Sequence, residues 1–314
     1  MSRRLPALPK IHDLLKIYDI TAKSDLSQNF ILDKNVTDTI VAKAKIKPEN
    51  SLVVEVGPGP GLLTRSLLDA GVKNLIAIER DERFKPLLSQ LQDASEGRFT
   101  PIMDDALKIK HETIIEMVKD KKIDSVHIIG NLPFNIATSL LLSWLRMLKK
   151  SEGLLGLPNP SMCLMFQYEV GKRIASETDG RLRGRLSVMA QSLCQSQHVY
   201  TISPASFVPR PKVKGSLVRM TKLNEPLLQS SFESLENITR FLFSMRRKSI
   251  GSIIKHVDED VSKYFKQANI ELSDRPENIS TKEMCGLAKV LEEDGINWDI
   301  FNTSTSRKAK NRGF

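Results

Sequence analysis

Cysteine is scarce, with three in 314 residues. Cys163, Cys194 and Cys285 lie far apart, in no CxxC pair and with no Cys/His spacing of a metal site. That excludes a disulfide framework and a zinc finger, so the three read as core thiols in a reducing compartment and no metal is expected. Long apolar runs are missing as well. A membrane-spanning helix needs roughly 20 consecutive apolar residues, and a stretch such as Ile136 to Leu148 is interrupted by Arg146. No membrane partner is expected. The third scarcity is local: no acidic residue occurs between Asp179 and Glu225, where Arg181, Arg183, Arg185, Arg210, Lys212, Lys214, Arg219 and Lys222 all fall. A merely solvated surface mixes both signs. With a net charge of +10, the window points to a polyanionic partner, the alternative being a bland basic face.

What is present suffices for a full core. With 40% hydrophobic and 27% charged residues, the chain has room for one large domain and a smaller one. The first twelve residues hold Arg3, Arg4 and Lys10 and no acid before the amphipathic "IHDLLKIYDI". They read equally as an organelle-import segment or as a basic arm leading into a first helix.

From about residue 33 to 180 strand-like and helix-like segments alternate, the pattern of βαβ units on a parallel sheet. Val36, Ile40 and Ala44 share a helical face behind the cap Asp33. "LVVEV" (52–56), "NLIAIE" (74–79), "RFTPIM" (98–103), "SVHIIG" and "MCLMFQ" are five strands, and "HVYTIS" and "KGSLVRM" a sixth and seventh. The last two are close enough for an antiparallel pair at the sheet edge. Beyond residue 224 strand signals vanish, and Leu235, Ile238, Leu242 and Met245 mark an amphipathic helix with Arg246, Arg247 and Lys248 at its far end.

"VVEVGPGPGLL" sets Gly57, Gly59 and Gly61 at a strand-to-helix turn, where absent side chains let backbone approach a ligand. A dinucleotide loop asks for a third glycine at position 62, which is leucine, and Glu55 with two loop prolines also suits a site without pyrophosphate. Glu79, about 20 residues on, can accept from both ribose hydroxyls in an NAD or an S-adenosylmethionine site. Asp105 in "MDDALK" can accept from an adenine amino group, with Ala106 beside it. The plain alternative is glycines needed only for turns, with Glu79 and Asp105 as caps.

"GNLPFN" sets Asn131, Leu132, Pro133 and Phe134 at the mouth of the fourth strand. An adenine amino group is a poor nucleophile because its lone pair is delocalised. If the Asn131 side-chain oxygen and a carbonyl near Leu132 both accept from it, the nitrogen is pulled toward tetrahedral geometry. Pro133 fixes the carbonyl direction, and Phe134 can stack on the ring. Alternatively the segment is a turn with Phe134 going to the core. A strand end beside the glycine loop is where ligands sit in open α/β sheets.

At this point the sequence resembles the ribosomal RNA adenine dimethyltransferase family, in its mitochondrial branch. "LSQNFILD", "EVGPGPGLLT", Glu79, "DDALK", "GNLPFN", "RLSVMAQ", "FVPRPKV" and "FSMRRKSI" occur in family order over nearly the whole chain. The resemblance implies a Rossmann-like α/β, seven-stranded S-adenosylmethionine-dependent methyltransferase sheet at 27–224 and a helical RNA-binding domain at 225–302. Residues 1–26 are the basic arm or import segment and 303–314 a basic tail without a core pattern.

It also implies dimethylation of two adjacent adenines in a 3′-terminal hairpin of mitochondrial small-subunit rRNA, in the matrix; nothing in the sequence suggests an obligate dimer, so a monomer is expected. The partner is that rRNA or the assembling small subunit. Gln28, Asn29, Ile31, Gly57, Glu79, Arg80, Asp105, Ala106 and Asn131 would border the cofactor. Asn131, Leu132, Pro133 and Phe134 would act on the adenine, with Phe207 of "FVPRPKV" on its other face unless Phe207 is a core aromatic. Arg181, Arg183, Arg185, Arg246, Arg247 and Lys248 would bind phosphates on a basic surface between the domains. Many relatives carry tyrosine at Phe134; phenylalanine keeps the stacking and marks the mitochondrial branch. Two rivals remain, a non-catalytic factor assisting a mitochondrial RNA polymerase and a DNA adenine methyltransferase.

Overall fold

The computed structural model describes Leu5 and residues 29–31, 33–178, 180–245, 247–255, 257 and 260–301, without the side chains of Phe134 and Asn135. The expectations for Gln28, Arg246 and 303–314 lie outside the described residues, as do all but Leu5 of those for 1–26. After a short strand β1 (Phe30–Ile31), the Asp33 side chain accepts from Asn35 N and starts α1 (Lys34–Ala44), which buries Val36, Ile40 and Ala44. There follow β2 (Ser51–Val56), α2 (Leu62–Asp69), β3 (Asn74–Glu79), α3 (Lys85–Ala94), β4 (Phe99–Met103), α4 (His111–Glu116), β5 (Ser125–Gly130), α5 (Phe134–Lys150), β6 (Pro160–Gln167) and α6 (Tyr168–Ile174). All six residues of β2 are buried, as expected where helices cover both faces of a parallel strand.

The chain continues through α7 (Arg185–Gln191), β7 (Cys194–Ile202), β8 (Phe207–Val208) and β9 (Gly215–Lys222). The seven-stranded sheet has the order β4-β3-β2-β5-β6-β9-β7. The first five strands run parallel, and β9 runs antiparallel to β6 from Ser161↔Thr221 to Gln167↔Gly215. The last two strands are neighbours at the edge, yet the later one lies inside. A second, two-stranded sheet, in which β1 pairs with β8 and Ile31 lies opposite Phe207, has no counterpart among the strands expected from sequence. Strands of two residues are too short for a periodic signal.

Two compact units emerge, 1–171 with 197–221 and 172–196 with 222–314. The composition change near 224 therefore marks only one of the crossings, because 172–196 belongs with the later helices. In the second unit α8 (Phe232–Ser244) buries Leu235, Ile238 and Leu242 behind a Ser231 cap, and ends before Arg247 and Lys248. Then come α9 (Ile250–Ile254), α10 (Ser262–Gln267) and α11 (Thr281–Glu293), whose Ser280 and Glu283 form a capping box. Among the described residues no helix is long and apolar enough to cross a membrane.

Chain order reverses between β2 and β5, so their C-terminal ends bound the crevice where open α/β sheets take ligands. The two strands stay paired to their last residues, Val56 opposite Gly130. A Cβ at 130 would lie 2.4 Å from the Val56 carbonyl oxygen, so only glycine permits the pairing. Gly130→Ala is expected to lower stability by roughly 3 kcal/mol or to prevent folding. A urea denaturation curve superimposable on that of the parent would refute this.

Candidate cofactor and adenine site

The turn after β2 passes through Gly57 (φ 71°), Gly59 (φ 53°) and Gly61 (φ 83°), all in the left-handed region that glycine enters without strain. A Cβ at Gly59 would sit 3.0 Å from the ring of Phe30, so that ring lies directly on the loop. The loop's amides are already spent. Gly57 N donates to Ile78 O at 2.9 Å, Gly59 N to Glu79 Oε2 at 2.9 Å and Gly61 N to Pro58 O at 2.9 Å, while Pro58 and Pro60 have no N–H. From 57 to 61 no backbone donor remains for a pyrophosphate. Of the two cofactors open from sequence, the dinucleotide is disfavoured by this count.

Glu79 ends β3 and is 6% exposed. Its other oxygen accepts from Asp81 N at 2.8 Å. Burial raises its pKa, while the Asp81 and Gly59 amides oppose the rise. Glu79 therefore first holds the loop, and each carboxylate oxygen keeps one acceptor site for a ligand hydroxyl. Beyond β3, Arg80 Nη1 stands 3.7 Å from Asp105 Oδ2, and Asp105 Oδ1 accepts from Leu107 N at 2.9 Å. Ala106 is half-buried beside it.

Glu55 is the most deeply buried acid of the site. It is 1% exposed; Oε2 accepts from Thr64 Oγ1 at 2.7 Å, and Oε1 is buried without a hydrogen-bond partner. Burial pushes its carboxyl up to about 8, with the Thr64 hydroxyl opposing and the Glu79 charge adding to the rise. Glu55, Phe30, Ile31, Gly57, Pro58, Pro60, Leu62, Leu63 and Asn131 line an open cleft with about 310 Å³ of space between them, open solvent included. The sequence noted Glu55 only as a neighbour of the loop and gave Phe30 no role. An acid inside an apolar strand was the available signal for the first; for Phe30 there was none beyond its motif.

Asn131 follows β5. Its Nδ2 donates to Asn29 O at 2.6 Å, which fixes the amide and leaves Oδ1 as its acceptor. Leu132 is buried, and Pro133 precedes α5 with its carbonyl accepting from Ile136 N and Ala137 N, each at 3.1 Å. The Pro133 oxygen is thus committed to the helix, and the preceding carbonyl, that of Leu132, remains the candidate second acceptor. Phe134 opens α5.

Two expectations need correction. Phe207 is 2% exposed, packed in the core with Phe30, Ile31, Ile202 and Leu217, and does not line the cleft. Its pairing with Ile31 through β8 turns it inward, so it is a core aromatic and not an adenine clamp. Arg183 is fully buried. Its guanidinium donates to Ile279 O at 3.1 and 3.3 Å, Thr281 Oγ1 at 3.0 Å and Gln191 Oε1 at 3.2 Å, holding the start of α11. It has no surface to offer a phosphate. Arg185 is half-buried and paired with Glu236 at 2.5 Å; Arg181, Arg247 and Lys248 are exposed. Among the described residues no cluster of His, Cys, Asp and Glu could hold a metal.

The open sheet, its switch-point cleft and the donor-free glycine loop define the Rossmann-like class of S-adenosylmethionine-dependent methyltransferases. The structure resembles a dimethyladenosine transferase from Plasmodium falciparum, with TM-score 0.65, 21% identity, 86% of this chain and 99% of that one covered. It also resembles the 23S rRNA methyltransferase ErmE, with TM-score 0.59, 21% identity and 84% and 99% covered. By sequence, the ribosomal RNA adenine dimethylase family model matches residues 20–293. Mitochondrial dimethyladenosine transferase 1 of Bos taurus is 38% identical over 305 residues, 93% of this chain and 89% of the relative. The Drosophila melanogaster protein of that name is 36% identical over 299 residues, 92% and 89%. The chain belongs to the ribosomal RNA adenine dimethylase family and is an rRNA adenine dimethyltransferase.

Two measurements check the site. For an acid whose pKa is raised on folding, the folded state keeps a proton the unfolded chain releases, so stability falls as pH rises between the two pKa values. For Glu55 that window runs from 4.5 to about 8. Relative to Glu55→Gln, the parent should lose up to roughly 1.4 kcal/mol per pH unit across it; parallel pH profiles in thermal unfolding would contradict the buried carboxyl. Arg183→Ala should cost roughly 3 kcal/mol or more, against under about 0.5 for the exposed Arg247→Ala. Equal losses in urea would return Arg183 to the surface.

Proposed function

We propose that the chain dimethylates N6 of two adjacent adenines in a hairpin near the 3′ end of mitochondrial small-subunit rRNA, acting in the matrix as a monomer on that rRNA or on the assembling subunit. The names of the bovine and fly relatives, which say mitochondrial and dimethyladenosine, support the compartment and the product. Naked rRNA is the simplest substrate. Arg181, Arg185, Arg246, Arg247 and Lys248 are the proposed phosphate contacts; Arg183 is withdrawn.

The observation that carries the chemistry is the Asn131 amide, tied to Asn29 O at 2.6 Å at the edge of the cleft. S-adenosylmethionine supplies an electrophilic methyl group on a sulfonium. The site fits that group: its loop is free of unspent donors, one buried acceptor in it is unsatisfied, and it holds no basic side chain among the described lining residues. Glu79 takes the ribose hydroxyls on its remaining acceptor sites, and Asp105 takes the adenine amino group of the cofactor. Gly57, Arg80, Ala106, Asn29 and Ile31 shape the walls.

For the target adenine, Asn131 Oδ1 and the Leu132 carbonyl accept from the exocyclic amine, draw it toward tetrahedral geometry and aim its lone pair. Pro133 keeps the second acceptor directed, because its own ring fixes φ. Positioning and fixed dipoles carry the rate without a strong base, since the methylated amine loses its proton to water. A base must leave its stack to be treated in this way.

Incubation with unmodified small-subunit rRNA and methyl-labelled cofactor should place the label on two neighbouring adenines near the 3′ end. Asn131→Ala should reduce transfer by about 10²–10³-fold with RNA binding and unfolding temperature kept. Undiminished labelling by that variant, or label confined to other positions, would overturn the assignment.

A further inference from the structure

Among the described residues five large apolar side chains stand exposed, those of Leu107, Met117, Leu182, Val213 and Leu227. Single exposed leucines are ordinary on protein surfaces, so place and support decide whether one has a task. Only Leu182 and Val213 have a basic residue on each side in sequence, and both fall in the window without acids between Asp179 and Glu225. For Leu182 the support can be traced bond by bond. Arg183 N donates to Gly180 O at 2.7 Å, which closes a four-residue turn with Arg181 and Leu182 at its corners.

Both ends of that turn are fixed. Gly180 N donates to Glu177 O at 3.2 Å, and a Cβ on Gly180 would lie 2.3 Å from Ser176 Oγ, so the chain enters packed against the preceding turn. On the leaving side the buried Arg183 holds Ile279 O, Thr281 Oγ1 and Gln191 Oε1, and Gly184 N donates to Ser187 Oγ at 3.0 Å at the start of α7. Arg181 is exposed, Leu182 is 42% exposed and Arg183 lies inside. The inward guanidinium thus anchors the turn whose tip presents a leucine beside a cation.

We propose that Leu182 is a wedge for RNA: it enters between stacked bases of the substrate hairpin and covers the ring faces that the departing adenine leaves open. The inference rests on the rRNA reading above and adds the residue that offsets the unstacking. A base taken from its stack exposes apolar ring faces to water, a cost that every enzyme acting on an extruded base must meet. An aliphatic side chain slid into the gap covers those faces again and reads no base edge. Arg181 supplies the charge complementarity that selects a polyanion over an apolar protein groove, because it stands at the same tip, ready for the phosphates of the step being opened.

The test is single-turnover methyl transfer by the full chain to the 3′-terminal hairpin of small-subunit rRNA. Leu182→Ser should react about tenfold or more slowly, the value of covering a leucine side chain. Its unfolding temperature should stay, since the residue is exposed, and so should the slope of log affinity against log salt, since no phosphate contact is lost. A second hairpin carries an abasic unit beside the two adenines, so that its stack is already open. On that RNA parent and variant should react at equal rates. 2-Aminopurine at the same position, which brightens on unstacking, should brighten with saturating parent and stay dim with the variant.

Equal rates on the intact hairpin would overturn the proposal, and a loss then confined to the assembling subunit would give Leu182 a protein partner. A loss of the same size on both hairpins would also overturn it, by making Leu182 an ordinary contact. Failure of the parent to label either hairpin would instead remove naked rRNA as the substrate, and the proposal with it.

Discussion

Everything at the site depends on how closely β2 and β5 can approach at their C-terminal ends. The pairing of Val56 with Gly130 places the exits of two strands side by side although 73 residues of chain separate them. From one exit the glycine loop departs, from the other Asn131. A Cβ built on Gly57 would stand 3.6 Å from the Asn131 carbonyl oxygen, an ordinary contact that shows the two exits touching. Because the switch in strand order is what opens the crevice, the strand pairing and the ligand site are one constraint expressed twice.

A second constraint is the distribution of donors and acceptors. Helix N-termini after glycine loops usually collect anions through unspent amides. Here Glu79 and the carbonyls of Ile78 and Pro58 take the amides of Gly57, Gly59 and Gly61, and two prolines delete the others of the loop. The loop itself, from 57 to 61, is thereby turned from a phosphate cradle into one without a free backbone donor. Glu79 is central to that conversion: its carboxylate is held by Gly59 and Asp81 amides at 2.9 and 2.8 Å, so the residue that shapes the loop is also the one left with acceptors for a ribose.

The sheet and the place of the site were legible because their signals are local. Runs such as "LVVEV" and "SVHIIG" announce buried strands by composition, and "NLPF" at a strand end needs only its neighbours in sequence to be noticed. What escaped was non-local. Phe207 and Phe30 lie 177 residues apart, and their burial follows from a pairing of two-residue strands that no periodicity reveals. The inclusion of 172–196 with the later helices is of the same kind, decided by packing across a long separation. Glu55 was visible as an acid in an apolar strand, but the emptiness around its Oε1 is a property of three dimensions.

The basic window shows why charge counts mislead in detail. Of the arginines at 181, 183 and 185, one is exposed, one fully buried and one half-buried against Glu236, although they alternate within five residues of like composition. Arg219, from the same window, gives its guanidinium to Lys43 O at 3.1 Å and Gln197 Oε1 at 2.7 Å. A guanidinium has five donors in a rigid fork, which serves carbonyls as well as phosphates. An excess of arginine therefore marks a demand for donors, and burial decides whether the acceptors are the protein's own. For Arg183 they are, at Ile279, Thr281 and Gln191, and the charge that seemed available to RNA is bound into the helical unit.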